Sequence, residues 1–227
     1  MTTPPPSKRR SARLRRLLTR GSDRYDIVLL LVVGALVLSP FNDGRLGVLV
    51  VGTLAMIFIF ALWTTNFPRR LLAAAIFFSV FALLTSAGAQ FDHGRTPKAI
   101  VAGVCLLLCA IIIGTIAYHL LAKRQVTTRV LAGSLAIYIL FGLLFASTYV
   151  LIGTVRHDGF FAQSGHHDAI SYLYFSFIAL TTVGFGDLTP ANDAGRMLVA
   201  LEALFGQLYL VTVVAVVVSE RRRPSKH

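Results

Sequence analysis

Long apolar runs alternate with short polar and basic segments along most of this chain. A helix crosses a bilayer with about 20 predominantly apolar residues, and six runs have a length near this value. The first run is the shortest and follows a basic stretch, so a signal-peptide core is an alternative for it. No small-residue cleavage site follows, which favours a membrane helix. The six runs are residues 26–41, 46–63, 71–89, 99–121, 130–155 and 195–219.

A seventh apolar stretch, residues 169–180, lies between the last two runs. It is too short to cross a bilayer but long enough for a helix that enters the membrane and returns on the same side. The composition agrees, because 56% of the residues are hydrophobic and only 14% are charged. Soluble domains are about 25% charged, and a chain of this size leaves much of its surface in solvent. An ordinary soluble enzyme is therefore excluded, and an all-α membrane protein is predicted.

The basic residues lie mainly at one side of the predicted membrane. Most of the 22 Lys and Arg fall before residue 26, at 69–70, at 123–129 and after residue 219, whereas most acidic residues fall in the other loops. By the positive-inside rule, both termini are cytoplasmic and the number of spans is even. The net charge of +12 is then mainly a topology signal and not a mark of nucleic-acid binding. The basic N-terminal stretch also suits anionic lipid.

The segment between the fifth and sixth runs carries the most informative motif. Residues 181–187 have the sequence TTVGFGD, with glycine at the alternate positions Gly184 and Gly186. Glycine reaches backbone conformations that other residues avoid. Non-helical backbone at membrane depth occurs only where it is buried in protein or lines a water-filled path. Because a row of carbonyl groups can replace the hydration shell of a cation, the motif predicts a cation pathway.

This motif resembles the selectivity filter of the potassium channel superfamily, whose signature is T-x-G-[YF]-G-D between two membrane helices. All of residues 181–187 match it. The family also has proline three residues after the aspartate, here Pro190, and commonly Gly-Arg at the start of the inner helix, here Gly195 and Arg196. A hinge glycine in that helix corresponds to Gly206, which the resemblance implies is a gating hinge.

The resemblance implies a role for each residue of the filter. Backbone carbonyls of Thr182, Val183, Gly184 and Phe185 would bind dehydrated K⁺, and the Thr182 hydroxyl would complete the innermost site. Gly186 would let the chain turn outward. One chain carries one filter loop, whereas a closed ring of carbonyls in this family takes four. A homotetramer with C4 symmetry is therefore implied.

Support for the filter is implied at three further residues. Thr181 precedes the carbonyl ligands, and Asp187 would bond to Tyr174 in the short helix, where many relatives have tryptophan. Phe185 lacks the hydroxyl of the tyrosine found in many relatives, and Phe175 is also apolar, so these two rings are expected to pack.

The full expectation is an all-α membrane protein with six transmembrane helices, a re-entrant pore helix and an extended selectivity filter, in the tetrameric layout of voltage-gated channels. The fourth run contains no Arg or Lys, so weak or no intrinsic voltage dependence is predicted. The predicted units are a basic cytoplasmic tail, a four-helix sensor-like domain, a pore domain and a short cytoplasmic tail. They cover residues 1–24, 25–124, 125–220 and 221–227.

Other polar groups leave alternatives open. Glu202 in the inner helix is expected to take a packed, hydrogen-bonded role near the filter, since an ionisable residue at such depth is a functional candidate. The loop histidines His157, His166 and His167 could bind Zn²⁺ or sense acid, but a solvated loop with Asp168 capping the short helix is favoured. Cys105 and Cys109 favour apolar packing over a metal or redox pair.

The predicted function is a K⁺-selective channel in the cell membrane that needs no cofactor and binds no nucleic acid. A poorly selective cation channel is the nearest alternative, and the intact residues 182–186 argue against it. A membrane enzyme would need paired acid and base groups within the bilayer, but Glu202 and His119 lie on different spans near different faces. A non-conducting anchor protein is the third alternative.

Overall fold

The computed structural model describes four helices after residue 94. They are α1 (Arg95–Leu121), α2 (Thr128–Val155), α3 (Ala169–Leu180) and α4 (Asp193–Arg221). The described residues are 95–121, 128–156, 159–165 and 167–221, together with a few positions between residues 29 and 84.

Three of the described helices are long and apolar enough to cross a membrane. Their spanning segments are Lys98–Tyr118, Val130–Val155 and Asp193–Val216, which correspond to the fourth, fifth and sixth predicted runs. The all-helical membrane protein is confirmed for this part of the chain. The first three runs lie outside the described residues except for a few helical positions, as does the basic tail 1–24. The six-span arrangement stays a prediction.

The short helix α3 has the bounds that the apolar pattern predicted. Its first turn is capped by Asp168, whose Oδ1 accepts hydrogen bonds from the Ser171 backbone N–H at 3.0 Å and the Ser171 hydroxyl at 2.8 Å. An aspartate at this position satisfies N–H groups that have no partner within the helix. Thr181 closes the last turn, because its N–H donates to the Phe177 carbonyl.

Helices α1 and α2 share one apolar core. Cys105 and Cys109 are both free and buried in it, in agreement with apolar packing. This core contains Leu108, Ile112 and Ile116 from α1 together with Ala136, Ile137, Leu140 and Leu143 from α2. The shared core holds α2 in place against α1, and α3 packs on α2.

Helix α3 lies against both α2 and α4. Its approach to α2 is close at Gly142, where a Cβ atom would lie 2.8 Å from the Phe177 ring. Helix α4, in contrast, leaves much of its apolar surface uncovered in the single chain. Its exposed large side chains include Met197, Leu201, Leu204, Phe205, Leu208, Val211 and Val214.

Candidate functional site

The segment after α3 has an alternating backbone. Thr182, Gly184 and Gly186 have φ angles of +60°, +51° and +80°, whereas the intervening Val183 and Phe185 do not have positive φ. Thr182 is the one non-glycine residue with positive φ in the described part of the chain. Because non-glycine residues adopt this conformation at a cost, strain is concentrated at Thr182, where the resemblance implies the innermost ion site.

The backbone N–H groups at the start of this segment turn back towards α3. The N–H of Thr182 donates to the Ala179 carbonyl at 2.9 Å, and those of Val183 and Gly184 donate to the Ile178 carbonyl at 2.9 and 3.1 Å. In a trans peptide the N–H and the preceding C=O point in opposite directions. The carbonyls of Thr181, Thr182 and Val183 are therefore directed away from α3, and residues 181–187 are exposed in the single chain.

The inner helix contacts this segment through a side chain that sequence reasoning did not single out. Gln207 Nε2 donates to Thr182 Oγ1 at 3.1 Å, and the Thr182 hydroxyl donates to the Thr181 carbonyl at 2.7 Å. The Thr182 hydroxyl is thus held on both sides. A polar residue in the apolar helix α4 indicates that it has a polar partner. The sequence does not identify that partner, because Thr182 lies 25 residues away.

Tyr174 and Asp187 lie near enough to interact electrostatically. The hydrogen bond between them that the resemblance implied stays a prediction. Phe175 does not pack on Phe185 in the single chain, in contrast to the expectation. Phe175 is buried and makes edge contacts with Phe160 and Phe161, whereas the Phe185 side chain is 71% exposed in the single chain. The aromatic cluster around Phe175 therefore supports α3 from behind rather than contacting the filter motif directly.

The segment that follows the motif is paired with the loop that precedes α3. The Ala162 N–H donates to the Thr189 carbonyl at 2.8 Å, and the Ala191 N–H donates to the Phe160 carbonyl at 2.9 Å. The Gln163 carboxamide bonds to both the backbone N–H and the hydroxyl of Thr189. This antiparallel clamp fixes the outer end of the motif, and no sequence pattern indicated it.

The histidine loop is described in part. His167 Nε2 lies 3.0 Å from the Gln163 carbonyl oxygen, and its ring packs on Phe161. Within the described ranges, no group of three or more His, Cys, Asp or Glu is placed to hold a metal ion. His157 and His166 lie outside these ranges, so the zinc or acid-sensing alternative stays untested.

Gly206 lies where α4 crosses the end of α3. A Cβ atom on this residue would be 2.5 Å from the Leu180 carbonyl oxygen and 2.9 Å from Leu180 Cδ1. The Leu180 carbonyl also accepts a hydrogen bond from the Tyr138 hydroxyl at 3.3 Å. The structure thus provides a packing reason for glycine here, beside the hinge that the resemblance implied.

Glu202 is fully buried one helical turn before Gly206. Its carboxyl group contacts the Tyr149 hydroxyl of α2 and the Ser176 hydroxyl of α3. These contacts agree with the packed, hydrogen-bonded role that was expected for Glu202. Neither partner was predicted from the sequence.

Comparisons with known proteins find similarity over the part of the chain that contains these residues. A family profile described as "Ion channel" matches residues 137–220, from the middle of α2 to the end of α4. A "Hyperpolarization-activated voltage-gated potassium channel" of Methanocaldococcus jannaschii is 41% identical over 54 residues. A "Two pore potassium channel b" of Oryza sativa is 40% identical over 65 residues.

The match over residues 137–220 and the names of these two relatives support the resemblance to the potassium channel superfamily. The matched segments cover 22% and 26% of this chain, and 26% and 18% of the two relatives. The chain therefore spans about a quarter or less of the relatives that it matches. The region that matches the ion channel profile includes α3, the filter motif and nearly all of α4. This match favours a transport protein over an enzyme.

Proposed function

We infer that this protein is a potassium-selective channel that conducts K⁺ passively through a filter formed by residues 182–186. The observation that supports this most directly is the filter backbone itself. The N–H groups of Thr182, Val183 and Gly184 are bonded to α3 carbonyls, so the carbonyls that precede them are directed away from α3 and left for a cation. The φ angles of residues 182–186 also alternate in sign. Carbonyl rings of this kind replace the hydration shell of K⁺.

A homotetramer is the assembly that completes such a filter. One chain supplies one strand of carbonyls, and in the single chain Val183 is 55% exposed and Phe185 is 71% exposed. The apolar side of α4 is likewise uncovered, and exposed apolar patches of this extent mark interaction surfaces. Four copies around one axis would cover both surfaces and close the ring.

The remaining features of the proposal come from the sequence. We place the protein in the cell membrane with six spans per subunit and both termini cytoplasmic. Residues 25–124 would form the sensor-like domain and residues 125–220 the pore domain. The basic N-terminal tail would contact anionic lipid, and K⁺ would be the only small ligand needed.

Ion flux in liposomes tests the proposed function. Purified protein is reconstituted, and K⁺ and Na⁺ fluxes are compared with and without Ba²⁺. We expect K⁺ flux to exceed Na⁺ flux strongly and Ba²⁺ to block it. Equal fluxes would establish a poorly selective cation channel instead, and absence of flux from correctly assembled protein would favour an anchor or binding protein.

Weak or absent voltage dependence is expected in the same reconstituted protein. The segment Lys98–Tyr118 has no Arg or Lys after its first residue. Each charge moved across the membrane supplies about 2.3 kcal/mol per 100 mV, so a span without such charges cannot drive opening. Conductance is measured against voltage in a symmetric bilayer, and a steep, saturating curve would contradict the expectation.

Replacing Gln207 with leucine is expected to reduce K⁺ flux by about threefold to tenfold, the effect of losing one neutral hydrogen bond. The change removes the donor that holds the Thr182 hydroxyl but keeps the size of the side chain. Thr212→Val is the matched control, because the Thr212 hydroxyl bonds to the Leu208 carbonyl of its own helix. If both variants conduct like the wild type, Gln207 does not position Thr182.

A further inference from the structure

A buried carboxyl group joins the three helices that surround the filter. The Glu202 side chain in α4 is 0% exposed. Tyr149 of α2 donates its hydroxyl hydrogen to Glu202 Oε2 at 2.6 Å, and Ser176 Oγ of α3 lies 2.5 Å from Glu202 Oε1. Both partners are themselves fully buried. Helix α4 is thus connected to both α3 and α2 at one point.

The hydrogen atoms available at this point are too few for an ionised carboxylate. Ser176 Oγ also lies 2.8 Å from the Gly142 carbonyl oxygen. A serine hydroxyl has one hydrogen, and a carbonyl oxygen can only accept. When that hydrogen is directed to Gly142, the contact between Ser176 and Glu202 needs a hydrogen from Glu202. A carboxylic acid supplies it, whereas a carboxylate would compete with Gly142 for the same hydrogen.

The surroundings of Glu202 also disfavour a charge. The groups that face it are hydroxyls, from Tyr149 and more distantly Tyr138 on α2 and from Ser176 on α3. None of its hydrogen-bonding partners in the described ranges is a Lys, Arg or His. The ion pair described in this part of the chain joins Arg196 and Asp193 at the exposed start of α4. An unpaired charge buried at membrane depth is strongly disfavoured and neutralises instead.

The position of Ser176 connects this point to the ion pathway. Ser176 lies in the helix whose next residues include Ile178 and Ala179, and these two carbonyls accept the N–H groups of the filter. A bond that fixes Ser176 therefore fixes the acceptors on which the filter backbone depends. Neither the Ser176 nor the Tyr149 bond reaches the filter itself, so Glu202 acts through α3 and is a positioning residue.

We propose that Glu202 is held as an uncharged carboxylic acid that donates its hydrogen to Ser176, and that this bond positions the pore helix behind the filter. The second half rests on the proposed function, because it concerns K⁺ selectivity. The first half concerns only the protonation of one side chain and is tested separately from conduction.

Infrared difference spectroscopy tests the protonation state. The wild type and Glu202→Gln are compared in lipid at neutral pH. We expect the wild type to show the C=O stretching band of a protonated carboxylic acid that is missing from E202Q. If the band that is present in the wild type and missing from E202Q is that of a carboxylate, the proposal is wrong. Since no ion flux is involved, this result is independent of whether the protein conducts K⁺.

Selectivity tests the positioning role. E202Q keeps an uncharged group that can donate to Ser176 and accept from Tyr149, so its ratio of K⁺ to Na⁺ flux is expected within about twofold of the wild type. Glu202→Ala and Ser176→Ala each remove the bond, and both are expected to lower the ratio about tenfold, as for the loss of one partner in a buried hydrogen bond.

Ser147→Ala is the matched control. Ser147 lies in α2, and its hydroxyl bonds to the Leu143 carbonyl of the same helix at 2.8 Å, so the change leaves the Glu202 contacts intact. The wild-type ratio is expected for S147A. The positioning role is wrong if E202Q loses selectivity as E202A does, or if S176A matches S147A. Should E202A fail to assemble, S176A decides, because it removes one hydroxyl and keeps the packing.

Discussion

Replacing Gly184 with alanine is expected to abolish K⁺ flux while the protein still assembles. Gly184 has a φ of +51°, and no atom of the described residues of the single chain lies within 4 Å of the position of an added Cβ. The cost therefore comes from the backbone. An L-residue in the left-handed region costs about 1–2 kcal/mol, or about 4–8 kcal/mol over the four subunits of the proposed tetramer. Relief of this strain rotates the peptides on which the carbonyl row depends, and flux is expected to fall by more than about a hundredfold.

Gly159→Ala is the matched control for this backbone effect. Gly159 has a φ of +73° and open space around its Cβ position, but it lies in the loop before α3. The same strain is therefore introduced outside the filter. K⁺ flux into liposomes is measured for both variants, with assembly checked by size-exclusion chromatography. G159A should conduct within about twofold of the wild type. If G184A conducts equally well, residues 182–186 are not the ion pathway.

Replacing Gly206 with alanine is expected to destabilise the folded protein strongly. The added Cβ would lie 2.5 Å from the Leu180 carbonyl oxygen, a backbone atom at the end of α3 that has no rotamer to change. Helix α4 would have to move away from α3, and overpacking of this kind costs about 1–3 kcal/mol per subunit. The shift would also separate Gln207 from Thr182. The thermal unfolding midpoint of the purified protein is expected to fall, with K⁺ flux lost.

Gly114→Ala separates this packing effect from helix propensity. Gly114 lies within α1, and nothing in the described part of the chain lies within 4 Å of its added Cβ. Alanine there is expected to be neutral or to stabilise by up to about 1 kcal/mol, because alanine is the better helix former. A pure hinge role at Gly206 predicts that G206A melts like G114A and only opens less often in single-channel recordings. Equal melting temperatures would therefore refute the packing role.

Much of the candidate site could be predicted from local sequence features. The short helix at residues 169–180 follows from the length of an apolar run, and its cap follows from an aspartate placed just before it. Gly184 and Gly186 indicated a backbone with positive φ, and the structure has it. These features depend on residues close together in the chain, so a single sequence contains them. Thr182 shares that conformation without being glycine, and its residue type gave no signal for it.

The polar contacts around the filter could not be predicted in this way. Gln163 and Thr189 are 26 residues apart, and so are Ser176 and Glu202. Each pair meets because two elements have a particular rotation and register against one another. A hydroxyl or carboxamide in an apolar run signals that a partner exists, but many hydroxyls in these helices bond to their own helix instead, as Ser147 and Thr148 do.

The sequence by itself determined that this is a helical membrane protein with a short apolar helix leading into a glycine-containing cation motif. Run length, composition and the conformational freedom of glycine are local properties, and they suffice for that much. Only the tertiary structure decided that Glu202 joins three helices, that Gln207 holds Thr182, and that Gly206 leaves room for the Leu180 carbonyl. The physical reason is that side-chain contacts between helices depend on how the helices pack. Apolar surfaces of similar composition allow many packings, and a close approach at a glycine or a buried hydrogen bond selects one of them.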